Sequence, residues 1–354
     1  MKSIVRAILS NQAIRKKIFR LIRYAPNRSV SVYRGNNRSK IDSRFVEVYS
    51  DSAHVDLWDP RLNERVGHHF LRRHVCEVSN VIADTTSRLY TQNGLYIDES
   101  YSFHPYITQF EHPFLIGHKI SDKKKYQGHF ILLQSTGLFH WLIEDLPPFL
   151  HLRKLFPDAT IAVDDSAPTY VTDLLDYMGG EVLRVKSPCQ FEKVSFVTRR
   201  NDSGWQHPKD LKIVRTFFKV DDSTIQHASH GKKIFVSRDG SRRNVANDSD
   251  VENIFRLRGF DIIKLEDFSL FERLEIFRDV KVMAGLHGSN QAAMVWMRPG
   301  SMILDIANID FYHETTPKLS QMLNQKYECF LYDGVVDGNI DLVSLRSWLN
   351  KVDK

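Results

Sequence analysis

From about residue 129 onward, apolar and polar positions alternate between short strand-length runs and stretches with helical spacing. His129-Phe-Ile-Leu-Leu133 is an apolar run of strand length, and a helical run follows from about Phe139. The pattern then predicts a strand over 160–163, a helix over 169–178, and strands near 182–185 and 194–198. The turn-rich stretch Asn201-Asp-Ser-Gly204-Trp-Gln-His207-Pro208 leads into a helix and is the expected interdomain hinge. Beyond it the rhythm is more regular. Strands are expected at 233–237, 261–265, 280–284, 302–306 and 328–332, separated by helices at 248–258, 270–278, after Gly288 and at 316–324. Strands alternating with helices at this spacing imply parallel sheets covered on both faces, with ligands bound at the carboxyl ends of the strands. Before residue 125 the pattern is irregular, with short strand-like pieces such as 45–49 and aromatic-rich connections. The division this suggests is a basic arm over 1–45, a first α/β domain over 46–205 and a second over 206–354.

Length and charge sharpen that division. The 354 residues are enough for two ordinary domains, and a chain with 42% hydrophobic and 26% charged residues is of the soluble globular type. The net charge of +6 is local: residues 1–41 hold eleven Lys or Arg and no acid, while the other 313 carry 38 basic and 43 acidic side chains. A body of net charge −5 argues against nucleic acid as a partner. In the arm, Ile4, Ile8, Ile14, Ile18, Leu21 and Ile22 recur mostly at three- and four-residue spacing between Arg15, Lys16, Arg20 and Arg23. Such a helix over residues 1–23 suits an anionic membrane surface, and it equally suits a solvated arm or a helix packed on a partner. No apolar run approaches the ~20 residues needed to span a bilayer, so the expected location is cytoplasmic, peripheral at the inner membrane face. Cys76, Cys189 and Cys329 are odd in number, widely spaced and without metal-ligand spacing, and read as ordinary thiols.

The candidate chemistry lies in two stretches. In the second α/β region, one strand runs into Arg238-Asp-Gly-Ser-Arg242-Arg243, and another turns through Gly285-Leu-His287-Gly288-Ser289-Asn290 into an apolar helical run. A third strand carries Asp305. Strand–glycine–helix turns present unpaired N–H groups and the positive end of a helix dipole, and arginine offers a planar fork for phosphate. The three pieces fall on one edge of one sheet, which points to a nucleoside-diphosphate ligand. Singly, the arginines are also an exposed basic turn and His287-Gly288 an ordinary glycine turn. The loop lacks the full G-x-G-x-x-G pattern and no Walker sequence is present, which argues against nicotinamide binding or NTP hydrolysis. In the first region, His140 and Glu144 of Phe139-His-Trp-Leu-Ile-Glu-Asp-Leu-Pro147-Pro148 share one helix face, with Asp145 turned away. Such a pair is either a general base with its orienting partner or a capped, solvated salt bridge. Asp164-Asp165 reads as a turn or helix cap, and no metal site is expected.

The order of these motifs resembles the family 61 glycosyltransferases, whose bacterial members include capsular polysaccharide biosynthesis proteins. The resemblance is carried by His140-Trp-Leu-Ile-Glu144-Asp145-Leu-Pro147, Gly204-Trp-Gln-His207-Pro208, Val236-Ser-Arg238 with Arg243-Asn-Val-Ala-Asn247, Gly285-Leu-His287-Gly288 and Pro299-Gly300-Ser-Met-Ile-Leu-Asp305. It covers roughly residues 125–310. It implies a GT-B architecture, two Rossmann-like domains facing across a cleft, and an inverting, metal-independent transfer without a cofactor, from a nucleotide sugar to a glycan or lipid-linked glycan. Glu144, His140 and Asp145 are then the candidate catalytic residues, with Glu144 expected to deprotonate the acceptor hydroxyl and His140 to orient it or share the proton. Arg238, Arg243, His287, Gly288, Ser289, Asn290 and Asp305 are the candidate donor-binding residues, with Asp305 accepting from ribose hydroxyls. The carboxylate four residues after the histidine is usually Asp in that family. A misplacement near 1 Å costs on the order of a hundredfold in rate, so either the cleft compensates for the longer Glu144, Asp145 serves instead, or the chain is a weak enzyme. A noncatalytic sugar-nucleotide or glycan-binding member of an assembly complex is the alternative. A different Rossmann-type enzyme is the more distant one.

Overall fold

A computed structural model describes residues 46–49, 54–59, 64–69, 73–83, 89–91, 124–134, 137–186, 188–197, 207–223, 231–238, 245–333 and 338–352. The basic arm with its expected membrane surface, hinge residues 201–206 and donor candidate Arg243 lie outside them. Among the described residues no helix is long and apolar enough to cross a membrane, and the three cysteines are free thiols.

The first half begins with strands β1 (Val46–Tyr49), β2 (His54–Asp59), β3 (Glu64–His69), β4 (Arg73–Ala83), β5 (Leu89–Thr91) and β6 (Lys125–Leu133). A single helical turn α1 (Leu138–His140), a π turn (Trp141–Asp145) and helix α2 (Leu146–Leu155) follow. Next come β7 (Thr160–Asp164), α3 (Thr169–Met178), β8 (Val182–Val185) and β9 (Cys189–Val197). The seven-stranded sheet runs β1-β4-β9-β6-β7-β8, with β5 on β4, and β2 and β3 form a separate hairpin. The parallel sheet expected here is in fact mixed. β9, β6, β7 and β8 are parallel, whereas β4 joins β9, β1 and β5 antiparallel. Strands from the irregular N-terminal region extend one edge: the piece expected at 45–49 is β1, whereas β4 and β5 were not expected. β9 also begins at Cys189, earlier than its apolar core suggests. Asp164-Asp165, at the end of β7, forms a turn: both the backbone N–H and the hydroxyl of Ser166 donate to Asp164.

Helix α4 (Pro208–Phe217) opens the second half. His207 caps it by accepting from the Lys209 N–H at 3.1 Å, and Pro208 occupies its first turn, where a missing N–H costs nothing. The remaining elements are β10 (Lys232–Val236), α5 (Asp248–Arg256), β11 (Asp261–Ile263), α6 (Leu270–Arg278), β12 (Val280–Leu286), β13 (Met302–Asn308), α7 (Thr315–Met322), β14 (Lys326–Tyr332) and α8 (Leu342–Val352). All pairings are parallel in the order β11-β10-β12-β13-β14. Strand order therefore reverses between β10 and β12, and their carboxyl ends form the crevice where open α/β sheets bind ligands.

The run after Gly288 departs from expectation: Ser289–Trp296 is a 3-10 helix, not an α-helix. Side chains join the Met297 N–H, which donates to Met294 at 3.1 Å, in taking the carbonyls at its end. Arg215 donates to Val295 and Met297 at 2.8 Å each, and Gln325 donates to Met294 at 2.8 Å. Buried Ala292–Met297 of this segment join one hydrophobic core with Ile131 and Leu133 of β6, Trp141, Phe149, Val214, Val236, Met283 and Ile303. That core draws on both sheets. Helix α3 packs on α6, where Asp173 accepts from the Leu270 N–H at 2.8 Å, and α4 packs on the π turn as well as on the 3-10 segment. The halves expected to face across a cleft share packed helices and a continuous apolar interior.

Candidate functional site

The π turn explains how the first constellation is held. Pro147 and Pro148 have no N–H to donate to the Ile143 and Glu144 carbonyls, so an ordinary α-helix cannot run through them. The Leu146 N–H reaches back to the Trp141 carbonyl, a five-residue step. The sequence stretch contains two adjacent prolines, and these were the available signal for this irregularity. His140 and Glu144 still meet, Nδ1 to Oε1 at 3.1 Å, with the imidazole 39% exposed and the carboxylate only 6%. Burial pulls the His140 pKa down, but the hydrogen bond and charge of Glu144, with the charge of Asp145, outweigh it and raise the value above 6.5. Asp145 is buried and lines a small cavity with Gln134, Phe149 and Val194–Val197. Burial, then the Asp145 charge, push the Tyr170 hydroxyl up to about 12 despite the opposing charge of Arg273. The structure thus places His140 at a surface, Glu144 behind it and Asp145 in the interior.

The second constellation sits at the carboxyl ends of β10 and β12. β12 lies close against β10 there, because Gly285 has only hydrogen where a Cβ would come within 3.0 Å of the Val236 carbonyl oxygen. Arg238 donates to the His287 carbonyl at 2.5 Å, and its guanidinium occupies the space a side chain at position 288 would need. The His287 ring is held at both nitrogens. Nδ1 lies 2.7 Å from Asp305 Oδ2, and Nε2 accepts from the His313 N–H at 3.2 Å, which fixes a neutral ring with its proton on Nδ1. Asp305 is 0% exposed. Its Oδ2 also accepts from the Tyr327 hydroxyl at 2.9 Å and its Oδ1 from the Gln291 amide at 3.1 Å. It is therefore enclosed by protein donors and not open to a ribose hydroxyl. Gln291 and Tyr327 escaped the sequence reading, since a glutamine in an apolar run and a tyrosine in a strand carry no spacing signal. Ser289 and Asn290 begin the 3-10 segment and are partly exposed.

Beside Ser237 a cavity of about 620 Å³ opens at the ends of β10 and β11, lined by Asp248, Ser249, Glu252, Lys264, Asp267 and Phe268 among others. Its size is that of small-molecule pockets. The turn bearing His140 packs directly on the Ser289–Trp296 segment, so elements that carry candidate residues of the two halves are in contact. Among the described residues no group of three or more His, Cys, Asp or Glu is arranged to hold a metal ion.

No curated protein matches the chain. Among solved structures, the crystal structure of the bacterial iron-containing dodecameric glycosyltransferase TibC from enterotoxigenic E. coli H10407 is 12% identical, with 74% of each chain covered and a TM-score of 0.25. That similarity is too weak to carry the fold. Residues 138–304, from the turn that bears His140 to the residue before Asp305, match the family model Glycosyltransferase 61, and this match supports a glycosyltransferase role for the chain.

Proposed function

We propose that the chain is an inverting glycosyltransferase of GT-B type, moving a sugar from a nucleotide-sugar donor to a glycan or lipid-linked glycan in surface polysaccharide biosynthesis at the inner face of the membrane. The observation that carries this reading is the packing of the His140 turn on the segment that begins with Ser289. It brings the element that carries His140 against the element that follows the Gly285–Gly288 turn, and this supports a transfer between substrates held by the two halves.

The donor lies at the switch point between β10 and β12. Arg238 and the Ser289 and Asn290 backbone amides neutralise the charge that grows on the departing nucleoside diphosphate, so the reaction needs no metal or cofactor. Arg243, five residues after Arg238 in the sequence, adds to the same charge. The cavity beside Ser237 has the volume for the nucleoside end. His287 and Asp305 shape this site from behind, because their polar atoms are spent on one another and on the protein. Of the catalytic pair, the exposed imidazole of His140 takes the proton of the acceptor hydroxyl while Glu144 holds Nδ1 and stabilises the resulting imidazolium. The acceptor oxygen forms its bond to the anomeric carbon from the face opposite the leaving phosphate, the bond to phosphate breaks with its electron pair, and the configuration inverts. Asp145 contributes its charge from the interior.

The test is sugar transfer and release from a panel of UDP-, GDP- and dTDP-sugars, with calorimetric binding of each, on wild type and Glu144→Gln. One donor that binds both proteins, with turnover reduced about 10²–10⁴-fold in the variant, is the expected result. Binding with no turnover in either protein, with glycan acceptors supplied, would identify a noncatalytic binder instead.

A further inference from the structure

The carboxylate of Asp305 has no cation against it among its hydrogen-bond partners. Three neutral or ring donors hold it: His287 Nδ1 at 2.7 Å, the Tyr327 hydroxyl at 2.9 Å and the Gln291 amide at 3.1 Å. A fully buried carboxylate is costly, and apolar residues at positions 305 and 327 would pack a sheet end as well. What the arrangement secures is His287. Its N–H donates to the Ile306 carbonyl at 2.8 Å, its carbonyl accepts from Arg238, its Nδ1 proton goes to Asp305 and its Nε2 accepts from the His313 N–H. Every polar atom of that residue is committed, and the guanidinium that lies against Gly288 is oriented from behind. Tyr327 comes from β14, two strands away from His287. Its hydroxyl remains a donor, since burial and then the Asp305 charge push its pKa up.

We infer that Tyr327 is a positioning residue of the donor site: its hydroxyl, with the Gln291 amide, fixes Asp305 so that His287 keeps one tautomer and one ring orientation and holds Arg238 in place for the diphosphate. The inference rests on the donor-site reading above. Tyr327 touches neither substrate nor reacting atom, and acts through Asp305 and His287. Both Asp305 and Tyr327 lie beyond the segment that matches the family model.

The experiment combines donor calorimetry, steady-state kinetics and nitrogen NMR of the histidine rings on wild type, Tyr327→Phe, Asp305→Asn and the double variant. Tyr327→Phe, which removes one oxygen, is expected to weaken binding of the preferred nucleotide sugar about tenfold. KM for the donor rises in step while kcat at saturating donor changes less than about twofold. The His287 resonances should move from a single Nδ1–H tautomer to a mixture. The double variant should bind no more weakly than Asp305→Asn alone, because Tyr327 acts through that carboxylate. Wild-type affinity together with an unchanged His287 spectrum in Tyr327→Phe overturns the inference, as does strict additivity in the double variant. If Tyr327→Phe does not fold, Gln291→Met breaks the other arm of the same hold and carries the same expectations. A wild type that binds no nucleotide sugar removes the donor reading instead, and the His287 spectrum still decides whether Tyr327 controls the ring.

Discussion

The half-exposed His140 is paired with the buried Glu144, and the pH behaviour follows from that pairing. Glu144 raises the pKa of His140 above 6.5. If the imidazole is the base, it must be neutral to act, so the ascending limb of kcat/KM against pH should lie above 6.5. Glu144→Gln should both slow turnover and move that limb to lower pH, since the raising charge is gone. A limb in the usual carboxylate range, near pH 4–5, would instead make Glu144 the base. The same pair bears on stability with a definite sign. A group whose folded pKa exceeds its unfolded value contributes stability that is complete below the unfolded pKa and is lost as pH rises through the folded one. The contribution of His140 is therefore present below about pH 6.5 and fades above it. His140→Asn should flatten that slope in thermal melts recorded across pH. Residue identities were the most legible layer of the sequence: His140, Glu144, Arg238, His287 and Asp305 could all be named. Their roles were less so, because the exposure of Asp305 depends on Gln291 and Tyr327, which no linear spacing brings together.

At the scale of elements, irregular segments hold the chemistry and regular ones hold the segments. The π turn and the 3-10 helix are the two irregular helical segments, and α4 packs on both, while the turn that precedes the π turn rests on the 3-10 segment. In each case a local donor or acceptor is redirected, by paired prolines in one and by Arg215 and Gln325 in the other. Replacing Pro147 and Pro148 with alanine restores the missing N–H groups and lets the turn relax toward an α-helix. We expect helicity and melting temperature to hold or rise while turnover falls tenfold or more, because Glu144 and Asp145 are rotated relative to His140. Gly288→Ala should act on binding: the new methyl meets the Arg238 guanidinium, so donor affinity measured by calorimetry should fall at least tenfold with the helical pair untouched. The second sheet was legible strand by strand, since apolar runs bounded by helices mark parallel strands. Of the antiparallel edge of the first sheet only β1 was legible, as the piece at 45–49, because β4 and β5 lack clear alternation. Helix α8 was not legible either, since its buried face amounts to Leu345 and Leu349.

At the scale of the whole molecule, one interior serves both sheets. Trp296 belongs to the second half by sequence, yet the core it lies in includes Trp141, Phe149 and β6. Trp296→Ala should cost about 3–5 kcal/mol and should do so in a single cooperative transition, read alike by circular dichroism and by fluorescence of the remaining tryptophans. Two separated transitions, with only the second half weakened, would mean that the halves are energetically distinct. The charge division was legible from composition, as the basic arm stands apart from an acidic body, but the joining of the two cores was not. Apolar periodicity says that a helix has a buried face and not which sheet lies beneath it. For anyone who wishes to recombine such chains, the joined core sets the rule of exchange. A new donor-binding half cannot be grafted at the turn-rich stretch near residue 205 as an interchangeable cassette. The faces of its α4, α6 and 3-10 segment must fit the π turn, α3 and the His140 turn of the half that stays, or the chimera will carry two exposed apolar surfaces and precipitate.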